Sequence, residues 1–186
     1  MKMTWVFGLI VHTALTAAQV EEKLLSVPAE GRPGYLRLTP QQTGLSPQGA
    51  YQPLKNVPIR ETGHSGLAAG DVNGDGLVDL YVCGMEEANA LYLNRGNWEF
   101  EDVAESAGVA CLGWRLSGAV LVDVDGDGDL DLALTSLLDG RNFMYLNDGQ
   151  GRFTENLKVG WIYNPRGGTV STSFADVDGD GDLDMY

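Results

Sequence analysis

A chain of 186 residues is long enough to bury one ordinary hydrophobic core. Its 12 basic and 26 acidic residues give a formal net charge of -14, which argues against a nucleic-acid partner, whose phosphates call for Lys and Arg. With 25 Gly, 4 Trp, 7 Tyr and 5 Phe, the composition is that of a packed, turn-rich protein and not of a disordered acidic tail.

The chain opens with Lys2, a mostly apolar stretch over residues 5–15, and the small residues Thr16, Ala17 and Ala18. This pattern reads as a secretory signal peptide over residues 1–18, cleaved before Gln19, with an uncleaved N-terminal anchor as the alternative. The apolar stretch is short of the roughly 20 residues a spanning helix needs, and no later segment supplies them. The expected location is therefore secreted or extracytoplasmic, meaning periplasm or cell surface in a bacterium. Residues 19–35 read as a lead segment, and repeat-like sequence runs over residues 36–186.

The repeat starts with a half unit. Residues 36–45 resemble residues 100–109, with Gly44 standing where Gly108 stands. Residues 51–59, which carry two prolines, then read as a surface loop. His64 and Ser65 invite a nucleophile reading, but neighbouring residues point apart in a strand and the pair does not recur, so a plain loop pair is the better account. The other histidine, His12, lies in the signal peptide, which leaves no His-rich zinc site.

Three acidic segments follow at matched spacing. Their leading residues Asp71, Asp123 and Asp176 are 52 and 53 positions apart, and residues 71–79, 123–131 and 176–184 together hold 13 Asp. The phrase LYLNRGNWEF over residues 91–100 matches MYLNDGQGRF over residues 144–153, pairing Asn94 with Asn147, Gly96 with Gly149 and Phe100 with Phe153. Strands are predicted over 77–83, 89–93 and 98–103 in the first unit, and over 130–134, 141–146 and 152–157 in the second. Residues 116–122 and 170–175 supply the strand leading into the second and third acidic loops. Residues 94–97 and 147–151 read as hairpin turns, and residues 101–106 as one helical turn.

Four short strands per unit suit a propeller blade, which needs a neighbour on each face. The fold class is therefore all-β, a partial β-propeller of four-stranded antiparallel blades, with a solenoid of stacked sheets as the alternative. Three units do not close a ring and the sequence stops inside the strand after the third loop, so the expectation is a fragment of a longer chain.

The acidic loops share one chemistry. In the first, Asp71, Asn73 and Asp75 stand at positions 1, 3 and 5, Leu77 offers a carbonyl at position 7, and Asp79 returns a carboxylate at position 9. The second presents Asp123, Asp125, Asp127, the Asp129 carbonyl and Asp131, and the third Asp176, Asp178, Asp180, the Asp182 carbonyl and Asp184. Side chains at alternate positions of a curled loop converge on one point. Crowded carboxylates repel unless a cation lies among them, and all-oxygen donors favour Ca2+ over zinc or copper, with magnesium the weaker candidate. The carboxylates of Asp129 and Asp182 are expected to face solvent, and Val72, Val124 and Val177 at position 2 to anchor each loop to its blade. An EF-hand is excluded: position 12 is Val82 in the first loop and Leu134 in the second, where that motif needs Glu. Ion-free Asp-Gly turns are the alternative, which three matched copies disfavour.

No catalytic motif is present. Carboxylates held ionised by calcium make poor general acids, and the DGDGD stretches lack the Lys of a phosphate loop. Trp98, Trp114 and Trp161 read first as packing residues and second as rim aromatics able to stack on a ligand. Cys83 and Cys111 fit a disulfide and two buried thiols equally.

Together the acidic loops and the Leu-Asn-x-Gly-x-x-x-Phe segments resemble the FG-GAP/VCBS repeats of integrin-α-like β-propellers. The phrase over residues 94–109 is similar to the propeller region of secreted proteins that carry an ASPIC/UnbV domain. The Gly-Ala-Pro element of the family survives in part, as Gly66-Leu67-Ala68 and Gly118-Ala119-Val120, without proline. The resemblance implies a seven-bladed ring with calcium between strands at one end of the blades. With no catalytic motif, the expected function is a non-enzymatic module that recognises extracellular protein, matrix or polysaccharide. An accessory propeller of a secreted enzyme and a structural spacer are the alternatives.

Overall fold

A computed structural model of the chain describes residues 38–45, 66–84, 88–136, 140–157 and 168–186, all within one compact unit, Arg37–Tyr186. The signal peptide, the lead segment, the loop over residues 51–59, the His64–Ser65 pair and Trp161 lie outside the described residues.

The described residues are nearly all β, as expected. Strands β1 (Leu67–Gly70), β2 (Asp79–Val82), β3 (Ala90–Asn94) and β4 (Phe100–Asp102) form one antiparallel meander. Strands β5 (Leu116–Val122), β6 (Asp131–Ser136), β7 (Phe143–Asn147) and β8 (Phe153–Glu155) form a second, and β9 (Phe174–Ala175) pairs with β10 (Asp184–Met185). These are the blades of a partial β-propeller. β5 occupies the predicted residues, whereas β1 had no counterpart among the predicted strands.

The sheets repeat in register as well as in order. Gly70 faces Asp79, Val122 faces Asp131 and Ala175 faces Asp184, so each acidic loop is closed by its first strand pair at the same point. Asn94 faces Phe100 and Asn147 faces Phe153, so the outer hairpins also match. The β3–β4 turn lies slightly beyond its predicted place, with Arg95 N donating to Glu99 O at 2.8 Å. Asn97 and Trp98 are both left-handed there, at φ 52° and 66°, which lifts Trp98 to the turn tip at 69% exposure. Trp98 is therefore not a packing residue. Trp114 is: its ring meets Phe143 edge-on at 5.1 Å.

The two four-stranded sheets bury a common core. Tyr81, Leu91, Leu116, Leu132 and Leu134 are essentially inaccessible, and the whole of β6 is buried, as in a strand covered on both faces. The connection between the sheets begins with one helical turn over residues 103–109, later than the expected 101–106 because Glu101 and Asp102 belong to β4. In it Ala107 N donates to Val103 O at 2.8 Å and Val109 N to Ala104 O at 2.9 Å. The left-handed Gly108 ends this turn as a helix C-cap glycine does. The short helix α1 (Pro40–Thr43) ends at Gly44 in the same way, with Thr43 N donating to Thr39 O at 3.1 Å, which bears out the pairing of Gly44 with Gly108. Gly44 abuts the Phe100 carbonyl and Gly108 the Phe153 carbonyl, so each turn docks on the outer strand of the sheet that follows it.

Both cysteines are free thiols. Burial pushes the Cys83 thiol up to about 12, and the Cys111 Sγ lies 3.2 Å from the Tyr145 hydroxyl.

Candidate metal centre

Each loop is built around its first aspartate. Asp71 accepts hydrogen bonds from the amides of Gly74 (2.8 Å) and Gly76 (2.7 Å). Asp123 accepts those of Gly126 (2.8 Å) and Gly128 (3.0 Å), and Asp176 those of Gly179 (2.7 Å) and Gly181 (3.1 Å). The glycines at positions 4 and 6 are left-handed in all three loops, which lets the amides turn inward on the carboxylate. These amides, led by that of Gly76, hold the Asp71 carboxyl below its ordinary range.

The ninth-position aspartates are more than a last ligand. Asp79 and Asp131 are fully buried. One oxygen of each accepts the amide of position 2, Val72 or Val124, at 3.0 Å. The other accepts the amide of Asn94 or Asn147 on the third strand of the same sheet, at 2.8 Å. Asp184 repeats the first bond with Val177 at 3.0 Å. Burial pushes the Asp79 and Asp131 carboxyls up, and the paired amides offset part of that rise. This carboxylate therefore clamps the loop to the sheet as well as lining it.

Oxygens bound to one calcium ion at 2.3–2.6 Å can be no more than roughly 5 Å apart. Asp123, Asp125 and Asp131 meet that condition, as do Asp176, Asp178 and Asp184, each set with carboxylate oxygens within 4.8 Å of one another. The structure thus brings positions 1, 3 and 9 together in two loops. In the first loop position 3 is Asn73, whose amide donates to Asp75 Oδ2 at 3.0 Å. The fifth-position carboxylates stand outside the triads. Asp75, Asp127 and Asp180 each accept the amide two residues on, from Leu77 (2.8 Å), Asp129 (3.0 Å) and Asp182 (2.9 Å). The donors are all hard oxygens, so the residues present fit calcium.

The remaining positions divide. Val72 is buried, Val124 half-buried and Val177 60% exposed, so the anchoring expected of all three is complete at Val72 alone. Asp182 is exposed as anticipated. Asp129 is not turned to solvent: its carboxylate lies where a Cβ on Gly149 would stand, and it is half-buried there.

The sequence marks Asn147 only as a turn residue. It is buried, and its side-chain amide donates to Leu130 O of its own sheet's loop at 3.0 Å and to Val72 O of the preceding loop at 2.8 Å. The 53-residue match with Asn94 was the available signal, since Asn94 makes the equivalent bond to Val78 O at 3.1 Å.

Comparison with curated proteins gives no match. The FG-GAP-like repeat matches the chain twice, over residues 71–134 and 123–186, each match running from one acidic loop through the next. The two overlap and together cover more than half of the sequence. The chain belongs to the FG-GAP-like repeat family.

Proposed function

We propose that this chain is a calcium-stabilised extracellular propeller module that presents a recognition surface to protein, matrix or polysaccharide. The observation that carries the reading is the recurrence of one acidic loop at the same hairpin of each sheet, with carboxylates of positions 1, 3 and 9 gathered in two of them. An ion there offsets the repulsion among the carboxylates and fixes the loop. At a calcium concentration a hundredfold above Kd, one such site adds about 2.7 kcal/mol to stability.

Family membership supports the extracellular setting, and the pattern over residues 1–18 supports a secretory route. Among the described residues no helix is long and apolar enough to cross a membrane. On this reading the chain performs no catalysis itself, because calcium keeps its clustered carboxylates ionised. The phrase over residues 94–109 supports closer kinship with ASPIC/UnbV-domain proteins, and a seven-bladed ring would follow from it.

The test is calorimetric titration of the metal-free chain with calcium, paired with thermal unfolding with and without chelator. Binding heat and a chelator-sensitive midpoint are expected. No heat together with an unchanged midpoint would refute the calcium reading. A glycan and matrix-protein binding screen, run with and without calcium, then addresses recognition.

A further inference from the structure

We propose that Asn147 couples the first and second acidic loops, so that a cation in one raises the affinity of the other. The proposal rests on the calcium reading above and adds communication between its sites.

Three sets of contacts make the connection. The Asn147 side-chain amide bridges Val72 O in the first loop and Leu130 O in the second, at 2.8 and 3.0 Å. Its backbone amide donates to Asp131 Oδ1 at 2.8 Å, and that carboxylate belongs to the second loop's triad. Its side-chain oxygen accepts the amide of Gly151 at 3.2 Å. Gly151 faces the first loop so closely that a Cβ on it would lie 3.6 Å from Asn73 Cβ and 3.7 Å from Val72 Cγ2. Asn73 stands at position 3 of the first loop. The turn after β7 is thus held between a candidate ligand of one loop and a candidate ligand of the next.

An ion that fixes Asp131 fixes the Asn147 backbone, and with it the donor on which Val72 O depends. Ordering this turn once serves both sites, so the second ion finds part of its ordering cost already met. Linkage requires the effect to be reciprocal. Asn94 is the internal comparison. Its side chain bonds to Val78 O within its own sheet and, among the described residues, spans no pair of loops.

The experiment uses the full chain, calcium as the probe, and the third loop disabled by Asp178→Ala. Affinity at the first loop is read from the NMR shifts of the Gly74 and Gly76 amides. With Asn147 intact, disabling the second loop by Asp125→Ala should weaken calcium binding at the first by about fivefold or more, the lower range of measured coupling between sites. In the Asn147→Ala background the same change should shift first-loop affinity less than about twofold, and in the Asn94→Ala background the coupling should persist. First-loop affinity indifferent to Asp125→Ala overturns the coupling while leaving the calcium reading intact. Coupling that survives Asn147→Ala overturns the role of Asn147. No shift with calcium in the chain with three intact loops removes the calcium reading and the coupling together. Because Asp125 is exposed, its replacement tests the coupling even where Asn147→Ala fails to fold.

Discussion

Gly108 lies against the carbonyl of Phe153, so close that a Cβ on Gly108 would stand 3.0 Å from that oxygen, while Phe153 N donates to Ala107 O at 3.0 Å. The helical turn leaving the first sheet is thereby fastened to the outer strand of the second. Gly108→Ala should destabilise the fold by about 1–3 kcal/mol in denaturant unfolding, combining a left-handed backbone with the collision. Gly96→Ala provides the reference, since Gly96 shares a φ of +83° and nothing would lie within 4 Å of its Cβ. It should cost only about 1 kcal/mol. Equal losses in the two variants would mean that the docking contact contributes nothing.

Replacing aspartates at different loop positions should separate clamp from ligand. Asp79→Ala strands the amides of Val72 and Asn94 and should cost about 3 kcal/mol even in chelator. Asp125→Ala, at an exposed position of the second loop's triad, should change metal-free stability by less than about 1 kcal/mol while weakening calcium binding at the second loop. Chemical denaturation in chelator, followed by calcium titration, checks both. A metal-free Asp79→Ala protein as stable as the parent would remove the clamp.

The same aspartates set the pH response of the metal-free protein. Asp79 and Asp131 have folded-state pKa values raised above 3.8 by burial, so ionising them costs more in the fold than in the unfolded chain. Their contribution to stability therefore declines as pH rises from 3.8 through the raised values. Asp71 runs oppositely: its lowered pKa contributes stability above 3.8 that is lost as pH falls through the folded value. Chelator-treated protein should thus melt at a higher temperature just above pH 3.8 than at neutrality, with Asp79→Asn plus Asp131→Asn flattening the difference. In saturating calcium the trend should reverse, because protons compete with the ion. Parallel melting curves with and without calcium across the series would contradict this assignment.

Two surface arginines offer a contrast in packing. Arg141 pairs with Glu155 at 2.6 Å and also lies over Trp114 (5.2 Å) and Phe143 (4.6 Å). Arg95 pairs with Glu101 at 2.7 Å, and that pair is more exposed. Arg141→Ala should cost about 1–2 kcal/mol and retain much of that cost in high salt, because ring contacts persist there. Arg95→Ala should cost no more than about 0.5 kcal/mol and lose even that in salt. Unfolding at low and high ionic strength distinguishes them.

Much of this architecture was legible because it is written repeatedly. The spacing of Asp71, Asp123 and Asp176 located the loops, and Asn94–Asn147 and Phe100–Phe153 located the outer hairpins in matching register. β1 was missed because Leu67–Gly70, with the sequence LAAG, has no β-branched or aromatic residue, and its strand character comes from pairing with β2. Trp98 was misplaced because composition favours burying a tryptophan, whereas two consecutive left-handed residues carry it outward. The dual duty of Asp79 and Asp131 was hidden as well: the period of the loop names a ligand, but the partner amides come from strands 15 and 16 residues away. The reach of Asn147 to Val72, across 75 positions, depends on how one blade packs on another, which no local pattern encodes.

Gly66, just before β1, and Gly118, in β5, have a consequence for divergence. A Cβ on Gly66 would stand 2.7 Å from Gly118 Cα and Ala119 N, and one on Gly118 would collide with the Thr135 hydroxyl and stand 2.9 Å from Val170 O. At Gly66 backbone meets backbone, and at Gly118 a side chain and a carbonyl close the space, so neither position can take a larger residue without moving its neighbours. Sequence change is therefore far easier at exposed turns such as the Trp98 tip than at these two glycines.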